Sequence, residues 1–342
     1  MLRTFASDNA APAHPDILAA IADANQGHAV SYGDDDWTRR ATAAFRSLFG
    51  PSTDVYFTFN GTGANVTALA SLLRPHQAVI CPASAHLNTD ECGAFERFAG
   101  SKILAVDTPD GKLSVELLEP YLHSSKEEHH VQPRILSISQ STEYGGLYEL
   151  DELRELCGFA HEHGLLVHMD GARIANACAA LGSGARELTR DAGVDVLTFG
   201  GTKNGMLYGE AILFFDPALH DDTARFARKQ GMQLASKMRY IAAQFDALLS
   251  DGLWLRNAAH ANAMAQILEA EMRGLPGVRI SRPVRCNAIF ATLPRESIAP
   301  LQEQFFFYVF DELKCEVRWM TTYETTPADI AQFAAAAQGI LR

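Results

Sequence analysis

The sequence predicts an α/β fold with a mostly parallel sheet of seven strands and a smaller C-terminal α+β domain. Short apolar runs alternate with amphipathic segments up to about residue 217, which is typical of a parallel sheet covered by helices on both faces. After that point the alternation stops and a different order of elements begins. With 342 residues, 47% of them hydrophobic, the chain is long enough to bury a large core.

Seven short and mostly apolar runs are predicted to form the strands of the large sheet. They are VYFTF (55–59), AVICPA (78–83), KILAVD (102–107), RILSIS (134–139), LLVHMD (165–170), VDVLTFG (194–200) and EAILFF (210–215).

Helices are predicted between most of these strands. One precedes the first strand, where DDDWTRRATAAFRSLFG places Trp37, Ala41, Phe45 and Leu48 on one face and ends at Gly50. Others are predicted at ANVTALASLL (64–73), LSVELLEPYL (113–122) and ELDELRELCGFAHEH (149–163).

The C-terminal part is predicted to begin with a long helical region over 217–273. It continues with strands in VRISRPV and NAIFATLP, a helix through FFFYVFDEL, a strand at CEVRWMTT and a final Ala-rich helix. The aromatic run FFFYVF is interpreted as domain core or subunit interface. We expect an N-terminal segment (1–14), a large domain (15–245) and a small domain (246–342) that pack closely, because no low-complexity linker separates them.

Charge and cysteine usage narrow the class of protein. The formal net charge is −12 and no long basic run occurs, so nucleic acid is not an expected partner. The six cysteines contain no C-x-x-C pair, which indicates reduced thiols and a cytoplasmic location. The N-terminus lacks the apolar core of a signal peptide and no stretch is long enough to span a bilayer, so no membrane contact is expected.

The predicted strand ends carry the candidate functional residues, because ligands of parallel sheets bind beyond the carboxyl ends of the strands. NGTGAN follows the first strand and presents backbone N–H groups at a helix start, which suits a phosphate. His86 follows the second strand, Asp170 ends the fifth, and Lys203 stands between two buried runs in GGTKNG. Taken singly, these are more often a capped turn, a structural histidine and a helix cap, but lysine is rarely buried.

Taken together, the four features match the requirements of pyridoxal 5′-phosphate. The amine of Lys203 forms a Schiff base with the aldehyde once burial lowers its pKa. The carboxylate of Asp170 keeps the pyridine nitrogen protonated, so that the ring accepts electrons from a carbanion. The helix start at Gly61 holds the phosphate and His86 stacks on the ring. A cofactor-free phosphate-binding module would not need Lys203 and Asp170 together.

The order SDN, YGDD, NGTGAN, SAH, HMDGAR and GGTKNG resembles the threonine aldolase/β-eliminating lyase family of fold-type-I pyridoxal-phosphate enzymes, from Ser7 to about Arg318. The resemblance implies that Lys203, Asp170, Gly61, Thr62 and His86 bind the cofactor. It implies that Ser7, Arg173 and Arg318 bind the substrate carboxylate, with Arg173 also beside the cofactor, and that His129 is a second active-site histidine.

The activity that this resemblance implies is retro-aldol cleavage of L-β-hydroxy-α-amino acids to glycine and an aldehyde. His86, His129 or a water that they hold is the candidate base. Residues FN before Gly61 and TKNGM around Lys203 depart from the common pattern and resemble the subgroup that accepts phenylserine. Another pyridoxal-phosphate enzyme, an aminotransferase or a β-eliminating lyase, remains the alternative.

The resemblance also implies a homodimer or homotetramer, with sites at the dimer interface. Four basic residues bear on this expectation and are interpreted either as a solvated helix face or as a contact to the neighbouring subunit's cofactor. They are Arg228, Lys229, Lys237 and Arg239.

Overall fold

A computed structural model of the chain describes residues 3–123, 127–219 and 222–341. The large sheet has the strand order β1-β7-β6-β5-β4-β2-β3, in which β7 runs antiparallel to its neighbours and all other strands run parallel. The strands are β1 (Asp54–Thr58), β2 (Gln77–Pro82), β3 (Lys102–Val106), β4 (Gln132–Ser139), β5 (Leu166–Gly171), β6 (Val196–Gly200) and β7 (Glu210–Phe214). The predicted sheet is therefore confirmed, with strand ends shifted by one or two residues.

Helices connect these strands and cover the sheet. They are α1 (Pro15–Ala24), α2 (Asp36–Phe49), α3 (Gly61–Leu72), α4 (His86–Thr89), α5 (Ala94–Ala99), α6 (Val115–Leu122), α7 (Leu150–Glu162), α8 (Ile174–Leu181), α9 (Thr223–Gln230), α10 (Arg239–Leu249) and α11 (Leu253–Arg273). Short 3₁₀ turns add Asp8–Ala10, Arg190–Ala192, Thr202–Asn204, Pro217–Leu219 and Ser250–Gly252.

Helix α2 illustrates how local sequence and packing agree. The Asp35 carboxylate accepts a hydrogen bond from the Thr38 N–H at 2.8 Å and caps the helix start. The helix ends at Gly50, whose φ of 115° suits glycine. Between these ends, Phe45 is fully buried and its ring meets Phe199 at a centroid distance of 5.3 Å. The predicted apolar face of this helix therefore packs on the sheet.

A second, antiparallel sheet forms the C-terminal part, with the order β10-β11-β9-β8. Its elements are β8 (Arg279–Ile280), β9 (Ala288–Thr292), α12 (Arg295–Gln304), β10 (Tyr308–Asp311), β11 (Glu316–Met320) and α13 (Pro327–Ile340).

The prediction of a helix through FFFYVFDEL was wrong, because α12 ends at Gln304 and residues 308–311 form strand β10. Phe305 and Phe307 are buried, whereas Phe306, Tyr308 and Phe310 are exposed. This alternation has the period of a strand, and a run of aromatic and β-branched residues favours that conformation. The inward rings fill the core of the small domain and the outward rings remain available for contacts.

Helix α11 crosses from the core of the large domain to the core of the small one. Leu253 and Trp254 pack with the large sheet, whereas Leu268 and Met272 pack with the small sheet. Phe5 also packs in the small core, so the N-terminal segment is held there. We propose that the chain divides near residue 245 into the large and the small domain, which pack together and are joined by α11.

Two further observations concern the helices and the cysteines. None of the helices in the described ranges is long and apolar enough to cross a lipid bilayer. All six cysteines lie within the described residues and are unpaired.

Candidate active site

The carboxyl ends of β4, β5 and β6 meet the small sheet around two adjoining cavities of about 60 and 560 Å³. Both cavities are lined by His86, Glu143, Arg173 and Lys203. The smaller cavity also reaches Gly61 and Asp170, whereas the larger one opens toward Ser7 and Arg318. Seven of the nine predicted site residues thus line the two cavities, and Thr62 follows Gly61 at the start of α3.

The turn that carries Lys203 requires the backbones of two segments, at Gly200 and at Ala172, to lie close together. A Cβ at Gly200 would lie 2.4 Å from the Ala172 carbonyl oxygen, so only glycine fits where β6 ends against the turn after β5. The chain then forms the 3₁₀ turn Thr202–Asn204, which Gly205 ends with a φ of 101°. This packing fixes the position of Lys203 relative to Asp170.

The amine of Lys203 is held without a partner. None of the described residues forms a hydrogen bond or ion pair with it. The Arg173 guanidinium and burial lower the pKa of Lys203, against the opposing charges of Asp8, Asp170 and Glu210. Burial also raises the pKa of Glu210, to about 7, although this carboxyl accepts a hydrogen bond from the Gly201 N–H at 2.9 Å. A lysine with a lowered pKa and a free amine is a nucleophile near neutral pH.

Asp170 is fixed by two donors. Its Oδ2 accepts from the Asn65 side chain at 2.8 Å, and its Oδ1 accepts from the Ala172 N–H at 2.9 Å. Burial would raise the pKa of this carboxyl, but these two hydrogen bonds and the Lys203 charge together lower it. Asp170 is therefore held in its ionised form although it is largely buried.

Asn65 also connects Asp170 to His86. Its amide donates to Glu91 Oε1 at 2.9 Å, and its carbonyl oxygen accepts from Thr198 at 2.9 Å. Glu91 in turn bonds Nδ1 of the His86 ring at 2.9 Å, and this bond raises the pKa of His86 against the effect of burial. One buried network thus orients both the carboxylate and the imidazole.

Helix α3 begins at the small cavity. The Asn60 side chain accepts from the Gly63 N–H at 2.7 Å, and no described residue accepts from the N–H groups of Gly61 and Thr62. A Cβ added at Gly61 would meet no atom within 4 Å, so space is open there. Free N–H groups at a helix start with open space beside them suit an anion.

Arg173 is oriented by a carboxylate that the sequence interpretation missed. Its Nε and Nη2 donate to the two oxygens of Asp8, at 2.7 and 2.9 Å. Burial would raise the pKa of Asp8, but the guanidinium overrides it and lowers that pKa to about 2. Nη1 of Arg173 has no partner among the described residues.

Arg318 faces the larger cavity from β11, between the buried side chains of Val317 and Trp319. Its buried Nε has no hydrogen-bond partner among the residues that the structure describes, and burial and the nearby Arg173 charge lower the pKa of Arg318. Ser7 lines the same cavity, and its Oγ accepts from the Asn9 N–H at 3.2 Å. Two guanidiniums with free donors have the chemistry that suits a carboxylate ligand.

His129 does not join this cluster. It is exposed and lies three residues before β4 begins at Gln132, whereas the cavities lie beyond Ser139 at the other end of that strand. A strand of this length separates its two ends by about 25 Å. Within this chain, His129 is therefore remote from Lys203.

Five carboxylate or amide side chains in or beside the cavities were not among the predicted site residues. They are Asp8, Asn65, Glu91, Glu143 and Glu210. Asp8 and Glu91 stand within the SDN and SAHLNTDE segments, so proximity to a motif is the sequence signal for them. No feature of the neighbouring sequence marks Glu143, which follows β4 in QSTEYGG, as a site residue.

Comparisons with known proteins identify the family to which the chain belongs. The family described as Beta-eliminating lyase matches residues 4–295. The chain is 44% identical to a low specificity L-threonine aldolase of a Pseudomonas species, over 98% of this chain and 97% of the relative. It is 47% identical to the low specificity L-threonine aldolase of Pseudomonas aeruginosa, over 90% of this chain and 89% of the relative.

A solved structure of Leishmania major threonine aldolase has the same fold, with a TM-score of 0.94 and 33% identity over 99% of this chain and 100% of that one. The resemblance seen in the sequence motifs is confirmed by these matches. The chain belongs to the β-eliminating lyase family, in its threonine aldolase branch.

Proposed function

We propose that this protein is a pyridoxal-phosphate-dependent aldolase that cleaves L-β-hydroxy-α-amino acids to glycine and an aldehyde. The low specificity L-threonine aldolases to which it is 44% and 47% identical support this activity. The observation that carries the proposal is the partnerless amine of Lys203 in one cavity with the ionised Asp170.

The residues present fit the cofactor. Lys203 supplies an amine with a lowered pKa for the aldehyde, and Asp170 supplies a fixed anion for the pyridine nitrogen. The free N–H groups at Gly61 and Thr62 are available for the phosphate, and the ring of His86 is held at the cavity wall by Glu91. When bound, pyridoxal phosphate withdraws electrons from the α-carbon of the substrate.

The chain's own residues orient the substrate. We propose that Arg173 and Arg318 bind the α-carboxylate beside Ser7, because both guanidiniums retain unused donors at the larger cavity. Asp8 holds Arg173 in place through two hydrogen bonds and leaves Nη1 for the ligand. By fixing the carboxylate, these residues would determine which bond of the α-carbon is weakened by a bound cofactor, and so would select cleavage of Cα–Cβ. His129 has no role in this site as the single chain builds it.

The small sheet forms one wall of the larger cavity, called the outer wall here. We propose that this wall accommodates bulky β-substituents such as the phenyl group of phenylserine. Tyr308 and Phe310 of the small sheet line it, and the ring of Tyr144, which follows β4, meets Phe310 at 5.7 Å. Phe310 also packs on Phe290 at 4.9 Å and remains partly exposed at the cavity. A wall of aromatic rings accommodates an aryl group by edge-to-face packing.

The test is product release from a panel of threonine, allo-threonine and phenylserine. Glycine and the matching aldehyde are expected in equal amounts, from a yellow protein that borohydride bleaches. Release of ammonia without glycine would favour a β-eliminating reaction, and consumption of a keto acid would favour an aminotransferase. A colourless protein that acquires no colour with added cofactor would contradict the proposal.

We propose that the protein associates as a homodimer or a homotetramer. Four large apolar side chains are exposed on or near α9: Phe226 and Met232 belong to the helix and the turn after it, and the backbones of Tyr32 and Phe59 bond residues of the following segment. These partners are Ser236 and Gln233. A patch of this kind marks a protein contact. Sedimentation should give a mass at least twice the 37.3 kDa of one chain, and Phe226→Asp should reduce it. A wild-type monomer would contradict this proposal.

A further inference from the structure

Glu143 lies at the centre of the site, yet neither binding of the cofactor nor binding of the α-carboxylate uses it. It follows β4 by four residues and lines both cavities together with Lys203 and Arg173. Its Oε1 is fully engaged, because it accepts from the Ser139 hydroxyl at 2.7 Å and from the His86 N–H at 3.1 Å. Its Oε2 is buried and has no hydrogen-bond partner within the described part of the chain.

The segment around Glu143 is held rigidly. Thr142 is buried, and its hydroxyl donates to the Asp110 carbonyl at 3.2 Å and accepts from the Gly146 N–H at 3.0 Å. Gly145 closes the turn by donating to the Thr142 carbonyl at 2.9 Å. The unpartnered Oε2 is therefore a fixed feature of the cavity wall. A buried carboxylate oxygen without a donor is costly to a fold unless a ligand supplies one.

We propose that Glu143 is the general base that accepts the proton of the substrate's β-hydroxyl group. This inference rests on the proposed aldolase function. In this step the O–H proton passes to Oε2, and the O–H electron pair becomes the second carbonyl bond of the aldehyde as Cα–Cβ breaks. The electron pair of Cα–Cβ remains on Cα, and the proton gained by Glu143 balances the proton that Cα later takes up to become glycine.

Other titratable groups at the cavities are less suited to this step. Both oxygens of Asp170 accept hydrogen bonds and its pKa is lowered. His86 uses Nδ1 for Glu91, which raises its pKa, and Asp90 is exposed to solvent. Burial raises the pKa of Glu143 above its ordinary value, which brings it closer to neutral pH, where a base is most effective.

The test is Glu143→Gln, which keeps the size of the side chain and an acceptor for Ser139 and the His86 N–H. Cleavage should fall by about a hundredfold or more, since general bases contribute at least this much. Two properties should survive: the visible absorbance of the bound cofactor, and exchange of the α-proton of glycine in deuterated water, because glycine has no β-hydroxyl. Glu143→Asp should recover part of the lost rate.

Two further measurements isolate the carboxyl itself. The fall of kcat/KM at acid pH should disappear in Glu143→Gln. In infrared titrations of the cofactor-free proteins, the variant should lack one carboxylic-acid band that the wild type shows. Other charged or titratable groups face or surround Glu143, and their titrations contribute to the same pH profiles of wild type and variant. They are Cys81, His86, Tyr148, Asp170, Arg173 and Lys203. Glu316→Gln is the matched control, because Glu316 is also a buried carboxyl but lines neither cavity.

The outcomes separate this inference from the proposed function. An active wild type whose Glu143→Gln variant cleaves within a few-fold of normal would overturn the role of Glu143 alone. Equal losses of cleavage and of glycine exchange would also overturn it, because they would indicate a structural role. A wild type that cleaves no β-hydroxy-amino acid would overturn the aldolase function and this inference with it.

Discussion

The two walls of the candidate site are built differently. On the inner wall, formed by the large sheet, hydrogen bonds fix two of the functional side chains: Asn65 and Ala172 hold Asp170, and Glu91 holds His86. On the outer wall, formed by the small sheet, Arg318 has a buried Nε without a partner, and Phe310 is 37% exposed.

The difference corresponds to two kinds of ligand. A cofactor that stays bound is served best by groups whose positions are fixed in advance. A substrate that enters and leaves needs hydrogen-bond donors that are free when it arrives. Its variable side chain is best accommodated by an apolar surface that requires no specific hydrogen bonds. Substitutions on the inner wall should therefore remove the chemistry, whereas those on the outer wall should change substrate use.

The largest effect is expected for Lys203→Ala. Turnover and the visible absorbance of the bound cofactor should both be lost while the protein still folds, because no other described lysine lines the two cavities. Absorbance spectra, product assays and circular dichroism measure the three properties. Lys102→Ala is the control, since Lys102 is exposed at the start of β3, away from the carboxyl ends of the strands. Normal activity of Lys203→Ala would exclude the cofactor assignment.

Asp170→Asn should come next. Loss of the negative charge removes stabilisation of developing charge, so kcat should fall on the order of a hundredfold or more, while some yellow cofactor remains bound. The control is Asp195→Asn, because Asp195 accepts the Val167 N–H at the opposite end of the sheet. If the variant at Asp170 keeps nearly its full rate, this carboxylate is only a helix cap and the inner wall is not specialised.

Arg318→Ala tests the outer wall. A charge-assisted contact is worth about 1.5–3 kcal/mol, so kcat/KM should fall about ten- to a hundredfold, with cofactor occupancy unchanged. Arg318→Lys should recover only part of this, because an ammonium lacks the planar fork of donors. Arg279→Ala provides an exposed arginine of the same sheet as control. Unchanged kcat/KM, or loss of cofactor alone, would show that Arg318 does not bind the carboxylate.

The smallest effect is expected for Phe310→Ala. An aromatic contact contributes about 0.5–1.5 kcal/mol, so kcat/KM for phenylserine should fall about two- to tenfold while that for threonine stays the same. Phe306→Ala removes another exposed ring of the small domain that does not line the cavity. Equal losses for both substrates would mean that the outer wall does not discriminate between β-substituents.

The sequence by itself determined most of the fold and the inner wall. Apolar runs of strand length identified all seven strands of the large sheet, and the rule that ligands bind beyond the carboxyl ends of strands singled out Gly61, His86, Asp170 and Lys203. These residues stand directly at strand ends or helix starts, so local pattern was sufficient to find them.

Tertiary structure alone decided the rest, because those features depend on contacts between distant segments. Asp8 reaches Arg173 across 165 residues, and Asn65 joins Asp170 across 105. The aromatic run at 305–310 enters strand β10 at Tyr308 because β11 pairs with residues 308–311, and neither its length nor its composition excluded a helix. His129 and Glu143 stand at opposite ends of β4, and only the folded sheet shows which of them faces Lys203. A side chain's burial and its free lone pairs are properties of its surroundings, which the order of residues along the chain does not contain.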